Sequence, residues 1–230
     1  MSEVGGRDGE YLLDRWLADA EQLAPAAGRD RWLAEGSLLL RGWSEPHRSY
    51  HTTEHLAEVL LALDELRLAA MMDEDEALTA RAIGWYHDLA YDPRAEPGSN
   101  EHRSATLARD HLHHLGVDQE RVDTVERGVL MTRDHHLGEE TRHTGALAAM
   151  HDADLWILAA PIPRYERYRE QVRQEYTHVP DELFRAGRAQ ILRGFADRDR
   201  LYLTEHAHLA WTERARRNLA AELQALSHGV

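Results

Sequence analysis

The feature that most constrains the fold is a helical periodicity that runs through nearly the whole chain. Apolar residues recur at spacings of three and four, and runs of β-branched residues, which fill strands, are missing. This pattern predicts an all-α fold. The predicted helices cover residues 10–23, 29–41, 47–68, 74–90, 100–115, 119–133, 143–159, 162–177, 181–195 and 205–226.

Short segments that contain glycine or proline separate the predicted helices, and no long Gly/Ser-rich linker divides the chain. Residues 10–230 are therefore predicted to form a single domain. Residues 1–9 are expected to be disordered, because a terminus of small polar residues has little to bury.

Composition excludes several kinds of site and partner. The chain has no cysteine, which rules out disulfides, thiolate zinc sites and cysteine nucleophiles and fits a reducing cytoplasm. The net charge of -14 repels phosphate backbones and disfavours a duplex nucleic-acid partner. The sequence has neither the ~20 apolar residues of a membrane span nor the pattern of a signal peptide. We therefore expect a cytoplasmic protein without a membrane partner.

Histidine is unusually frequent, with 16 residues, and several lie beside carboxylates in four separated segments. Imidazole and carboxylate ligands without thiolate suit a divalent ion such as Mn, Fe, Co, Ni or Zn. Water on such an ion becomes a nucleophile near neutral pH. The four segments are YHTTEH at 50–55, WYHD at 85–88, TRDHH at 132–136 and HDAD at 151–154.

Each segment alone is weak evidence for a metal site. A His-Asp pair is common by chance, and two histidines four apart on a helix, such as His51 and His55, are more often solvated or part of a core. The order of the segments, each on a separate predicted helix, favours the metal site.

The ordered motifs resemble the HD superfamily of metal-dependent phosphohydrolases. The start of the set is also similar to the corresponding region of cyclic-nucleotide phosphodiesterases. Within this superfamily, the chain resembles a group of small bacterial predicted HD phosphohydrolases, over residues 48–219. The resemblance implies an HD-domain-like helical bundle. The motifs in this chain read YHTTEH, HDLAYDP, NEHRSA, TRDHH, DADLWIL, RQEY and ARRNL.

This resemblance implies that His55, His87, Asp88 and Asp154 bind the metal. Asp152 competes with Asp154 for the last position. Residues two apart on a helix point about 200° apart, so both are not expected to bind one ion. We favour Asp154, with Asp152 orienting a ligand histidine.

Further residues carry roles that remain open at this stage. The resemblance implies that His51 protonates the leaving oxygen, against the alternative of a surface histidine. Glu101 is expected to accept a proton from the attacking water, to bind a second ion, or only to begin a helix. His135 is a candidate for a second ion or for phosphate. In the cyclic-nucleotide phosphodiesterases the motif reads HDxxH, and its last histidine holds a second metal. Residues 87–91 of this chain read HDLAY, so that histidine is missing and we expect one ion.

Positive side chains are needed to hold a phosphate in so acidic a protein. Arg48, Arg173 and Arg188 are candidates, each with the alternative of a solvated helix face, and Arg173 with that of a structural ion pair. Arg103 and Arg133 were further possibilities.

The expected function is hydrolysis of a phosphate ester, of a small nucleotide-like substrate, by metal-bound hydroxide. The cofactor is expected to be Mn, Fe, Co, Ni, Zn or Mg. Two alternatives are kept: a non-catalytic binding module stabilised by a metal, and a di-iron HD-type oxygenase.

Overall fold

All the regular structure in the computed structural model, which describes residues 4–137 and 145–228, is helical, and the predicted all-α class is confirmed. The ten α-helices are α1 Val4–Leu23, α2 Arg29–Trp43, α3 Thr53–Leu68, α4 Glu74–Tyr86, α5 Ser99–Leu115, α6 Gln119–Met131, α7 Gly145–Asp154, α8 Ile162–Glu175, α9 Asp181–Ala196 and α10 Glu205–His228. A 3-10 helix, Leu155–Ala159, follows α7 directly.

Most predicted helices fall within a few residues of these bounds, and the differences are at helix ends. Helix α3 begins six residues later than predicted, because the Thr52 side chain accepts a hydrogen bond from the Glu54 N–H and caps the helix. Helix α4 ends at Tyr86, before its predicted end. Helix α7 ends at Asp154, and the chain continues from there as the tighter 3-10 helix. Histidines and carboxylates of the predicted site lie at all three ends.

Two predictions concern residues at the edge of the described chain. Residues 1–3 of the expected disordered terminus lie outside the described residues, and α1 begins at Val4. The predicted start of the seventh helix, at residue 143, also lies outside them.

Helix α4 is the centre of the molecule. All its side chains from Ala77 to Tyr86 are buried, and it packs against α1, α3, α5, α6 and α7. Trp16 of α1 meets Trp85 edge-on, with 5.6 Å between ring centroids, a favourable aromatic geometry. Trp43 of α2 donates its indole N–H to the Trp85 carbonyl at 3.0 Å. This packing fixes the end of α4, where His87 and Asp88 follow.

The helices of the C-terminal half pack around the 3-10 helix that follows α7. Helix α10 packs against α9 and the 3-10 helix, and α8 lies against the 3-10 helix as well. Across residues 4–137 and 145–228, we find no helix with the length and apolar character that a bilayer span needs.

Candidate metal centre

Three side chains from three helix ends meet in the interior. The Nε2 atoms of His55 and His87 lie 3.3 Å apart. The Oδ1 atom of Asp154 lies 3.2 Å from His55 Nε2 and 3.5 Å from His87 Nε2. The three ligand atoms lie within 4.8 Å of one another, so this group could hold a metal ion.

The orientation of both imidazoles is fixed from behind. His87 Nδ1 lies 2.8 Å from the Gly84 carbonyl, so it carries the proton and leaves a lone pair on Nε2. His55 Nδ1 lies 3.0 Å from the Tyr50 hydroxyl. The two histidines are almost fully buried: His55 is 2% exposed and His87 is 1% exposed. Two buried nitrogens aimed at one carboxylate fit a divalent cation.

Asp88, the further ligand that the resemblance implies, lies beside this group. Its Oδ2 atom lies 3.2 Å from His87 Nε2 and 3.9 Å from His55 Nε2. Its backbone carbonyl accepts a 2.8 Å hydrogen bond from buried Arg48, which also bonds the Leu89 carbonyl. Arg48 thus holds the turn that presents Asp88, and its guanidinium also bonds the Glu45 carboxylate at 2.9 Å.

The charges of the cluster are strongly coupled. Burial lowers the pKa of His87, but Asp88 and Asp154 outweigh it and raise that pKa well above the usual value. Burial raises the pKa of Asp154, yet His87 and His55 bring it well below the usual value. Carboxylates that stay ionised in a buried site are suited to a cation, which would compete with the imidazole proton.

Asp152, the alternative to Asp154 as a metal ligand, bonds the segment before α10 and does not face the cluster. Its oxygens accept hydrogen bonds from the backbone N–H groups of Leu203 and Thr204 at 2.7 and 2.8 Å. They also contact the Thr204 hydroxyl at 2.7 Å and His151 Nδ1 at 3.0 Å. Asp152 fastens the segment before α10 to α7. Its histidine partner is His151, not His55 or His87.

His51 lies at the edge of the cluster, held by a carboxylate. Its Nδ1 atom lies 2.7 Å from Glu175 Oε2, and its Nε2 atom lies 3.9 Å from Asp88 Oδ2. Its ring stacks on Tyr91 with 4.1 Å between centroids. Burial lowers the pKa of His51, but Asp88 and Glu175 more than offset this and raise it.

No role is expected for Glu175 from the sequence, although it lies in the RQEY motif, and the structure places it against His51. Its Oε1 atom accepts the backbone N–H groups of Ser49, Tyr50 and His51, and its Oε2 atom accepts the Tyr91 hydroxyl at 2.8 Å. Burial raises the pKa of Glu175, but the bonds from His51 and the backbone lower it to about 2. A signal existed: Tyr165, Tyr168, Val172 and Glu175 share the buried face of α8, so the glutamate occupies an apolar position.

A cavity of about 230 Å³ opens beside the cluster, and Glu101 and His135 line it. Glu101 Oε2 and His135 Nδ1 are buried without a hydrogen-bond partner among the described residues. His135 Nε2 lies 3.5 Å from Asp154 Oδ2, and burial lowers the pKa of His135 to about 3, so the ring is neutral. Unpaired buried polar atoms are costly, which is consistent with a site for water or a ligand.

The three candidate arginines have different surroundings. Arg188 lines the cavity, with its guanidinium bonded to Glu222 and lying 4.9 Å from the centre of the Tyr168 ring. Arg173 bonds the Tyr176 and Val179 carbonyls and Asp181, so it closes the end of α8. Of these three arginines, only Arg188 is among the described residues that line the 230 Å³ cavity.

Comparison with protein-family models finds no matching family, and comparison with curated proteins finds no matching relative. The interpretation of the site therefore depends on its geometry and on the motifs.

Proposed function

We propose that this protein is a metal-dependent phosphohydrolase of the HD type. The observation that carries the proposal is the convergence of two oriented imidazole nitrogens and Asp154 beside a cavity that also presents His51. Asp88 adjoins the same group. This arrangement supplies a cation site and a proton donor within one enclosure.

The ligand set favours particular metals. Nitrogen and carboxylate ligands without thiolate suit Mn, Fe, Co, Ni or Zn, whereas Mg prefers oxygen ligands throughout. The ion would supply Lewis acidity, activating water and offsetting charge on the phosphoryl oxygens.

His51 is the proton donor in this proposal. Glu175 holds Nδ1 and its carboxylate stabilises the imidazolium, so Nε2 can give a proton to the departing oxygen. Glu175 is a positioning residue because it acts through His51.

Glu101 and Arg188 complete the proposed site. The unpartnered Glu101 Oε2 atom is suited to accept a proton from the attacking water. Arg188 brings a positive charge to the cavity wall, and its bond to Glu222 fixes the guanidinium there.

The proposal is tested with a panel of phosphate esters, including p-nitrophenyl phosphate, its diester and nucleotides, with each candidate metal. We expect hydrolysis that falls at least 100-fold in His87→Gln and Asp154→Asn. His136→Gln is the control, since His136 is exposed beside the site. Full activity in His87→Gln would contradict the proposal. Metal binding without turnover of any ester would favour the binding-module alternative.

A further inference from the structure

A second cavity, of about 370 Å³, adjoins the cavity of the metal centre between α8 and α9. We call it the α8–α9 groove. The two spaces share several wall residues, so they form one continuous surface. The shared residues are Tyr50, His51, Tyr168, Tyr176, Arg188 and Ile191.

The far end of the groove is apolar. Its walls there are Val172, Val179, Leu183 and Phe184. Within the described lining, the polar side chains all lie at the shared end: Tyr50, His51, Tyr168, Tyr176 and Arg188. A nucleobase in this end would leave its hydrogen-bonding edge without partners, which costs affinity.

The outer rim of the groove is formed by exposed apolar side chains. Leu183 and Ile191 of α9 are 63% and 56% exposed. An apolar group placed in the groove would cover both and remove their apolar surface from water, which favours binding.

The sizes of the two spaces indicate which part of a substrate each of them can hold. The metal-centre cavity, of about 230 Å³, is smaller than the groove, of about 370 Å³. It can enclose a phosphoryl group and its waters but little more. The larger groove begins at His51, the proposed donor to the leaving oxygen, so the group attached to that oxygen extends into it.

We propose that the substrate is a phosphate monoester with an uncharged, apolar leaving group that occupies the α8–α9 groove. This inference rests on the proposed function and deepens it, since it replaces the nucleotide-like substrate expected from the sequence with a different chemical class.

The test uses alkyl esters from methyl to hexyl phosphate, whose leaving groups have nearly the same basicity, with Mn present. Binding of the matching alkylphosphonates, measured by calorimetry, gives a readout that does not need turnover. We expect kcat/KM and phosphonate affinity to rise up to about fourfold per methylene until the groove is filled. Hexyl phosphate should exceed any nucleoside monophosphate in kcat/KM.

Leu183→Gln changes only the groove, because Leu183 does not line the metal-centre cavity as described. We expect it to weaken hexylphosphonate binding three- to tenfold and to leave methylphosphonate binding unchanged. Leu209→Gln is the matched control: Leu209 is also largely exposed, at 73%, but it lies on α10 and does not line the groove as described.

The outcomes separate this inference from the proposed function. If His87→Gln abolishes hydrolysis of short esters but chain length has no effect, the groove assignment is overturned and the proposed function stands. If phosphonate affinity rises with chain length but no ester is hydrolysed, the proposed function fails and the groove still binds apolar groups. A dimer that Leu183→Gln dissociates in sedimentation would identify a second copy as the occupant and overturn the inference.

Discussion

The Nε2 atoms of His55 and His87 face each other at 3.3 Å. Because His87 Nδ1 bonds the Gly84 carbonyl, neutral His87 presents a lone pair to His55. Without a cation, one of the two nitrogens must hold a proton between them. With a cation, both lone pairs point at it, together with Asp154. The pair is therefore arranged so that, together with Asp154, it could hold a cation.

Binding of Mn²⁺ is expected to stabilise the fold. At a concentration 100-fold above Kd, a ligand specific for the folded state adds about 2.7 kcal/mol to the free energy of unfolding. For a chain of this size that corresponds to a rise in Tm of roughly 5–11 °C. Thermal scans with and without Mn²⁺ check this. His55→Gln should abolish the rise, and the exposed-site variant His136→Gln should keep it.

The two aspartates of the HDAD segment should behave in opposite ways. Asp152→Asn is expected to lower the free energy of unfolding by about 2–4 kcal/mol, because it disrupts buried charged hydrogen bonds to Leu203 and Thr204. It should still be stabilised by Mn²⁺. Asp154→Asn should lose that response. Denaturant titrations of both variants, with and without metal, decide the matter, and the reverse pattern would refute the assignment of Asp154.

Glu175→Gln tests whether this carboxylate acts through His51. We expect kcat for methyl phosphate to fall about 10- to 100-fold, because its leaving oxygen needs a proton. The effect on p-nitrophenyl phosphate should be much smaller, since its leaving group departs without one. Glu170→Gln, on the exposed face of the same helix, is the control. Equal losses on both esters would mean that Glu175 has only a structural role.

A pH effect on stability is expected from the pair of His111 and Glu35. Glu35 accepts His111 Nδ1 at 2.8 Å and the Tyr86 hydroxyl at 2.9 Å. The hydrogen bond to Glu35 raises the pKa of His111, and burial opposes it only in part. Protonated His111 therefore stabilises the folded state below the unfolded pKa of about 6.5, and this is lost as pH rises through the raised value.

The measurement compares the wild type with His111→Gln at pH 6 and pH 9. The difference in their free energies of unfolding should shrink with rising pH, by about 0.5–1 kcal/mol, since the pair is partly solvated. His113→Gln, an exposed neighbour, should show no such change. A difference that stays constant or grows would show that the pair does not stabilise the fold in this way.

The all-α class and the number of α-helices could be predicted because apolar periodicity is a local signal. Helix ends could not, because they depend on capping and tertiary packing. The residues before Thr53 have helix-compatible sequence, yet Thr52 caps α3 and buried Arg48 instead bonds the turn after α4. The disorder expected for residues 1–9 stays a prediction.

At the site, the motifs identified side chains that do meet: His55, His87, Asp88 and Asp154. The choice between Asp152 and Asp154 needed the fold, because the partners of Asp152 lie about 50 residues away in sequence. The apolar spacing of α8 indicates that Glu175 is buried, but its partners, three backbone N–H groups far along the chain, could be found only from the fold. Membership of the HD superfamily stays a prediction.

The central claim is that His55, His87 and Asp154, with Asp88 beside them, bind a divalent metal. The most direct test is elemental analysis of protein purified without added metal, alongside Asp88→Ala and Asp154→Asn. We predict about one Mn, Fe, Co, Ni or Zn ion per chain in the wild type and a loss of that ion in both variants. A wild-type protein that neither carries an ion nor gains thermal stability from any of these metals would contradict the account.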